Sequence, residues 1–396
     1  MTDVIELDNR LRQLADDLNH DLIEQLVSQG DLTTPAWRAA FEAVPRHLFA
    51  PRFTLPQNLG GHAHDATAAT DSAQREEWLR AVYHNEALLT EFDEHGIATT
   101  SCSAPSVVAT MLESSQASEG DTVLEIGTGT GWTAGLLAHR LGSDAVTSVD
   151  ISAGCFAEAR ERLDSLGLTP TLAVADGYLG YPARAPYDRI IATAALRKVP
   201  SAWLDQTRPD GTILTDLRGD IAGNLALLTV DTDTSAHGRF LPKKLSFMPL
   251  RSTEQPFEQL PELSARAVRE PGEDRTTRLD PAALRDRAFA FLAQLAMPGT
   301  EAGHVIVKDG ETRGPMYFCL TDPRSQAWAR VGTSTTAYLP VTQGGDRRLW
   351  DELEAANDLW KRLGQPRPEE FTITITPDGD QVVELPGADR SWSLPL

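Results

Sequence analysis

The stretch VLEIGTGTGW, residues 123–132, ends a short apolar run in three alternating glycines and passes straight into a helical pattern. A buried strand over Thr122 to Ile126 followed by such a turn is the first half of a βαβ unit. The glycines let backbone N–H groups approach a ligand closely. Outward from it the same rhythm continues. A helix is expected over Ser106 to Glu113 before the strand and another over Trp132 to Leu141 after it, followed by a strand from Ala145 to Val149. A helix from Ala153 to Leu166, a short strand from Thr171 to Val174 and a buried strand from Arg189 to Thr193 come next. Two apolar runs, Thr212 to Asp216 and Asn224 to Val230, would close the sheet. Strands alternating with helices of about ten residues or more predict an α/β domain with a doubly wound, mostly parallel sheet, Rossmann-like in plan.

The acids around this turn narrow the ligand. Asp150 ends the second strand, where a carboxylate accepts two ribose hydroxyls, and this fits any adenosine cofactor. Glu125 ends the first strand. A pyrophosphate would be repelled there, whereas the cationic methionyl end of S-adenosylmethionine tolerates a carboxylate nearby. Asp176, in Ala175-Asp176-Gly177, follows the third strand within reach of an adenine amino group. A methyl donor is thereby favoured over a nicotinamide dinucleotide. A dehydrogenase would also need a proton relay, and no such constellation is present.

Three motifs carry a family resemblance: AVPRHLF at 43–49, VLEIGTGTGW at 123–132, and DGYLGYPARAPYDRIIATAA at 176–195. Over roughly residues 36–230 the chain resembles the protein-L-isoaspartate O-methyltransferases, which methylate a carboxylate of damaged aspartyl residues in proteins. The resemblance implies a class I methyltransferase fold with S-adenosylmethionine as cofactor and S-adenosylhomocysteine as product. It implies a cofactor shell of Glu125, Gly127, Thr128, Gly129, Gly131, Trp132, Asp150, Ile151, Asp176, Gly177 and Thr193. The family carries a Gly-Gln-Thr-Ile-Ser-Gln-Pro element whose serine binds the substrate carboxyl. Here Thr99-Thr100-Ser101-Cys102-Ser103-Ala104-Pro105 stands in its place, so Ser103 takes the serine's role and Ser101 that of the threonine, with two polar neighbours changed. Tyr83-His84-Asn85-Glu86-Ala87-Leu88 resembles the family's Tyr-x-Asp-x-Ala-Leu, Asn85 replacing the acid, and makes Tyr83 and Asn85 candidate substrate contacts.

A narrower resemblance is to the branch associated with ribosomal peptides cyclised by ATP-grasp ligases, the graspetides. ILTDLRGDIAGNLALLTV at 213–230 and GRFLPKKLSFMPLR at 238–251 carry it, with the added N-terminal helices and C-terminal region. That branch implies a cyclised precursor peptide as substrate, one Asp of which is methylated before the ester closes to a succinimide. Repair of isoaspartyl proteins and lanthipeptide tailoring are the alternatives. A non-enzymatic accessory role has no support, since the donor glycines and all three acids are present.

The remaining chain sets bounds on these readings. At 396 residues with 41% hydrophobic content there is material for two or three domains. We expect N-terminal helices and a substrate-side insertion over 1–104, the donor domain over 105–250, an aperiodic linker over 251–280, and a small α+β domain over 281–396 that recognises peptide. Leu11, Leu14, Leu18, Leu22 and Leu26 recur at helical spacing before Gly30, residues 51–100 read as irregular apart from a helix near Arg75 to Tyr83, and helices are expected over Ala283 to Ala296 and Arg347 to Leu363. Phe371 to Ile375 and Gln381 to Leu385 read as a hairpin turning at Asp378-Gly379. Trp350, Trp360, Leu349, Leu353, Leu359 and Leu363 are expected in a core rather than on a recognition surface.

A net charge of −21 and no Lys/Arg run longer than two weigh against nucleic acid. The start MTDVIELDNR lacks a signal-peptide pattern, and no apolar run reaches membrane-spanning length, so a cytoplasmic protein without a membrane partner is expected. Cys102, Cys155 and Cys319 lack paired spacing and read as free thiols. His62-Ala-His64-Asp65 lacks further ligands, so no metal is expected. No Gly-x-Ser-x-Gly elbow supports a hydrolase triad of Ser103 and His84.

Overall fold

The computed structural model describes residues 5, 7–58, 63–243, 245–252, 261–309, 312–332 and 338–395. The chain forms two compact units, the first comprising 1–194, 200–214 and 248–254 and the second 195–199, 215–247 and 255–396.

The first unit opens with α1 (Asn9–Ser28), whose N-cap Asp8 accepts from the Leu11 amide at 2.8 Å. Leu11, Leu22 and Leu26 are buried as the spacing predicts, with Ala15 and Ile23 completing the stripe. Leu14 and Leu18 sit at its half-buried margin. Gly30 takes φ +71 and ends the run. α2 (Pro35–Ala43) starts on a proline, which lacks only an amide that the first turn leaves unpaired anyway, and buries Trp37, Ala40 and Phe41.

Residues 51–102 depart from the irregular reading. β1 (Arg52–Thr54), β2 (Ala63–Asp65), β3 (Leu88–Phe92) and β4 (Ala98–Cys102) form an antiparallel sheet in the order β2-β1-β3-β4. The helix between β2 and β3, α3 (Ser72–Val82), is capped by Asp71, which accepts from the Gln74 amide. Strands of three to five residues give too little alternation to see, and the register of β3 on β4 shifts around Glu91, which scrambles what remains. His62 of the histidine motif lies outside the described residues.

From α4 (Pro105–Ser114) the expected order holds: β5 (Val123–Ile126), α5 (Trp132–Leu141), β6 (Val146–Asp150), α6 (Ala153–Ser165), β7 (Thr171–Val174) and β8 (Tyr187–Leu196). β5 pairs in parallel with β6 and β8, and β6 in parallel with β7. All four residues of β5 are buried, as a central parallel strand requires. α7 (Ser201–Gln206) leads into β9 (Thr207–Arg218).

In the second unit, β10 (Gly223–Val230) and β11 (Ala236–Phe240) form an antiparallel pair. Residues 251–280, read as a linker, contain α8 (Pro261–Ala267) and β12 (Glu273–Thr277). Leu263 and Ala267 pack with Cys319 and Trp328, and Arg330 donates to the carbonyls of Ala267 and Glu270 at 2.6 and 2.8 Å. β12 hides from a pattern reading because its residues Glu-Asp-Arg-Thr-Thr are polar throughout. The helix expected from Ala283 begins as a 3-10 turn over Pro281–Arg285, and α9 (Arg287–Ala296) restarts behind a fresh cap, Asp286.

β13 (Glu301–Asp309), β14 (Thr312–Asp322), β15 (Ala327–Val331) and β16 (Leu339–Gly344) complete an antiparallel sheet ordered β12-β16-β15-β14-β13, unforeseen in the sequence. α10 (Leu349–Arg362) buries Leu349, Trp350, Leu353 and Leu359, while Trp360 and Leu363 are half-buried. The hairpin forms as β17 (Thr372–Ile375) and β18 (Gln381–Glu384), joined by β19 (Ser391–Ser393). β17 also pairs with β11, so this sheet runs β19-β18-β17-β11-β10. No helix among the described residues is long and apolar enough to cross a membrane.

Candidate active site

The glycine turn after β5 is stitched to the end of β6. The Gly127 and Thr128 amides donate to the Val149 carbonyl at 2.8 and 3.1 Å, and the Gly129 amide donates to Asp150 Oδ2 at 2.9 Å. Asp150 Oδ1 accepts from the Ser152 amide at 2.9 Å. Each carboxylate oxygen keeps a lone pair for a ribose hydroxyl. Gly127 (φ +101) and Gly131 (φ +90) are backbone requirements as well as space requirements. A Cβ on Gly127 would meet Thr193 Oγ1 at 2.8 Å, and one on Gly131 would meet Ala159 Cβ at 2.8 Å.

Glu125 is fully buried on β5. Its Oε2 accepts from Ser148 Oγ at 2.6 Å, and Ser148 Oγ lies 2.7 Å from Thr128 Oγ1. Among the described residues Oε1 has no hydrogen-bond partner. Burial pushes this carboxyl up to about 8, against the Ser148 hydrogen bond that favours its charged form. An unpaired carboxylate oxygen in a closed site is costly unless a cation is brought to it. The sulfonium and ammonium of S-adenosylmethionine are such cations, and a pyrophosphate is not. The residues therefore fit the methyl donor.

The other members of the expected shell divide. Thr193 donates from Oγ1 to the Ile126 and Gly127 carbonyls at 3.0 and 2.8 Å and holds the turn from below. Ile151 is half-buried between Asp150 and the N-cap Ser152 of α6. Asp176 accepts from the Tyr178 amide and from Ser252 Oγ, at 2.9 and 2.7 Å. Gly177 is packed under Ile126 and Leu250, and its carbonyl accepts from Trp203 Nε1. Trp132 is turned inward: it is 3% exposed, and its Nε1 donates to the Val44 carbonyl at 3.0 Å.

The substrate-side residues approach from β4. The Ser101 carbonyl lies 3.4 Å from where a Gly129 Cβ would stand, which brings the end of β4 against the donor turn. Ser101 and Ser103 are half-buried, and among the described residues neither hydroxyl has a hydrogen-bond partner. Tyr83 is buried and its hydroxyl lies 2.7 Å from His47 Nδ1; burial raises the phenol and lowers His47 to about 4. Asn85 Oδ1 accepts from the Ser106 amide at 2.9 Å, capping α4 in place of Ala104, which has no side-chain oxygen to do it. Both therefore organise the chain locally. All three cysteines are free and buried, and no cluster of His, Cys, Asp or Glu able to hold a metal occurs among the described residues.

One residue escaped the sequence reading. Arg46, in AVPRHLF, is fully buried and donates to five carbonyls, those of Val82, His84, Glu86, Cys102 and Ser103, at 2.6 to 3.1 Å. An arginine inside the mostly apolar stretch Ala43 to Phe49 was the available signal.

A central parallel sheet, a glycine turn tied to an acid at the end of the second strand, and an unpaired buried acid beneath it define a class I S-adenosylmethionine-dependent methyltransferase. The chain belongs to the protein-L-isoaspartate(D-aspartate) O-methyltransferase family, whose profile matches residues 57–255. It is 33% identical over 193 residues to the protein-L-isoaspartate O-methyltransferase of Ignicoccus hospitalis, covering 48% of this chain and 77% of that one. It is 31% identical over 242 residues to protein-L-isoaspartate O-methyltransferase 2 of Archaeoglobus fulgidus, covering 60% of this chain and 94% of that one. A solved protein-L-isoaspartate O-methyltransferase shares the fold at TM-score 0.53 and 20% identity, covering 93% of this chain and 99% of that one.

Proposed function

We propose that this enzyme transfers the methyl of S-adenosylmethionine to the side-chain carboxylate of an aspartyl or isoaspartyl residue in a peptide chain, with Ser103 and Ser101 orienting that carboxylate. The observation that carries the reading is the pair of unengaged serine hydroxyls beside β4, whose end packs on the donor turn. A carboxylate with an ordinary pKa of about 4 is ionised at neutral pH and needs no general base. Positioning is the task that remains: an oxygen held in line at roughly 3 Å from the methyl gains several kcal/mol through orientation. Hydroxyl donors suit it because the oxygen loses its charge in the transition state. A direct arginine ion pair would favour the ground state. When bound, the donor supplies an electrophilic methyl with a neutral thioether as leaving group.

The relatives' name supports an isoaspartyl residue as acceptor. The ester then exchanges neutral methanol for the neighbouring amide nitrogen and closes to a succinimide. A second acceptor, an Asp of a cyclised precursor peptide, is favoured by the Ser101-Cys102-Ser103-Ala104 substitution and by the resemblance at 213–230 and 238–251. Mass spectrometry of an isoaspartyl hexapeptide beside linear and cyclised forms of a candidate precursor separates the two. A methyl gained by the hexapeptide supports repair. A methyl gained and methanol lost only by the cyclised form supports peptide tailoring, and methylation of none contradicts the proposal.

A further inference from the structure

We infer that Arg46 is a positioning residue for methyl transfer, whose buried guanidinium ties the 82–86 segment and the Cys102–Ser103 segment into one substrate-side frame. The inference rests on the proposed role of Ser103. Arg46 Nη1 donates to the Val82 and His84 carbonyls at 2.6 and 2.9 Å, and Nη2 to those of Glu86, Cys102 and Ser103 at 2.7, 3.1 and 2.9 Å. Its guanidinium carbon lies 5.4 Å from the Trp132 ring centroid. Among the described residues no acid pairs with it, and Nε finds no acceptor. A cation buried against carbonyls alone is a poor source of stability, and an apolar side chain of similar size would fill the space at less desolvation cost. What the guanidinium adds is geometry, since its planar fork fixes the direction of every carbonyl it holds.

That geometry has a consequence for Ser103. A trans peptide points its N–H opposite its C=O, so drawing the Cys102 and Ser103 carbonyls onto Arg46 turns the Ser103 and Ala104 amides away from it. Neither amide donates to a backbone acceptor among the described residues. These two amides and the Ser103 hydroxyl are three donors within one turn, a set of the kind that suits one carboxylate. The same guanidinium holds the segment carrying Asn85, whose Oδ1 caps α4 immediately after Ala104. Both ends of the Ser103 turn are thus fixed through Arg46.

The test compares wild type with Arg46→Lys, Ser103→Ala and the double variant, using an acceptor peptide that the wild type methylates. Lysine keeps the charge and loses the fork. The expected result for Arg46→Lys is S-adenosylhomocysteine affinity within about threefold of wild type and kcat lower by about tenfold. The double variant should be little worse than Ser103→Ala alone, because both act through one turn. Unchanged kcat and KM, additive losses in the double variant, or an equal loss of S-adenosylhomocysteine affinity would overturn the inference.

Should Arg46→Lys fail to fold, hydrogen exchange on the wild type decides. Residues 82–88 and 99–108 should lose protection as one cooperative unit, and independent opening overturns the frame. A wild type that transfers to no carboxyl peptide contradicts the proposed function instead, and the exchange result still judges the frame.

Discussion

The glycine turn between β5 and α5 and the sheet β12–β16 handle buried polar groups in opposite ways. In the sheet, side chains satisfy one another. Gln343, 1% exposed, accepts from the Trp350 amide at 3.1 Å and donates to Asp351 at 2.9 Å, and Arg347 bridges Asp322 and Glu352. Arg275 likewise pairs with Asp351 and Glu354. At the donor turn the polar groups are held but left short: among the described residues Glu125 Oε1 has no partner, and both Asp150 oxygens accept from amides while keeping lone pairs. Among the described residues, buried atoms without a partner occur in the second unit too, among them the neutral Trp350 Nε1 and Asp216 Oδ1, but the Asp216 carboxylate is already paired with Arg218 through its other oxygen. A self-satisfied network is scaffold, whereas a carboxylate left unpaired in a closed site waits for a charge from outside.

Four substitutions sharpen or break this contrast, from the largest effect down. Trp350→Ala, in the core of α10, should cost about 3–5 kcal/mol of stability by denaturant titration and leave S-adenosylhomocysteine affinity of the folded fraction unchanged. Asp150→Ala should do the reverse, lowering that affinity by about 2–3 kcal/mol in a calorimetric titration while the melting temperature moves little. Equal effects of both variants on stability and on affinity would erase the distinction. Ser103→Ala should lower kcat by about 10–100-fold with donor binding intact.

Glu125→Gln is the smallest and tests the sign of the electrostatics. Burial raises this carboxyl to about 8, so the folded state holds a proton that the unfolded state releases near the ordinary glutamate value of 4.5. Its contribution to stability is fully present below 4.5 and is lost as pH rises through about 8. Between pH 7 and pH 9 the glutamine variant, lacking that loss, should gain about 1 kcal/mol on the donor-free wild type. Wild-type donor affinity should rise as pH rises through that range, and the variant's should stay flat. Parallel melting curves across pH for the two proteins would remove the unpaired acid from the account.

The parts legible in the sequence are those written in local patterns. β5, α5 and β7 follow from apolar runs and glycines, and the hairpin at Asp378-Gly379 from strict alternation. Short, bulged strands such as β3 and a wholly polar edge strand such as β12 carry no such pattern. At the site, Asp150 and Glu125 could be placed because a strand end fixes where its side chain lies. The inward turn of Tyr83 and Trp132 depends on partners far away in sequence, His47 and Val44. Arg46 was hidden for the same reason: its partners are backbone carbonyls, which every residue has.

The most direct test of the central claim is methyl transfer from labelled S-adenosylmethionine to an isoaspartyl peptide, followed by mild base. Carboxyl methylation predicts that the label appears on the peptide and is then released as volatile methanol, and that Asp150→Ala abolishes both at donor concentrations that sustain the wild type. Label that survives base, or no label on this peptide or on a cyclised aspartyl peptide from a preparation that binds S-adenosylhomocysteine, would contradict it.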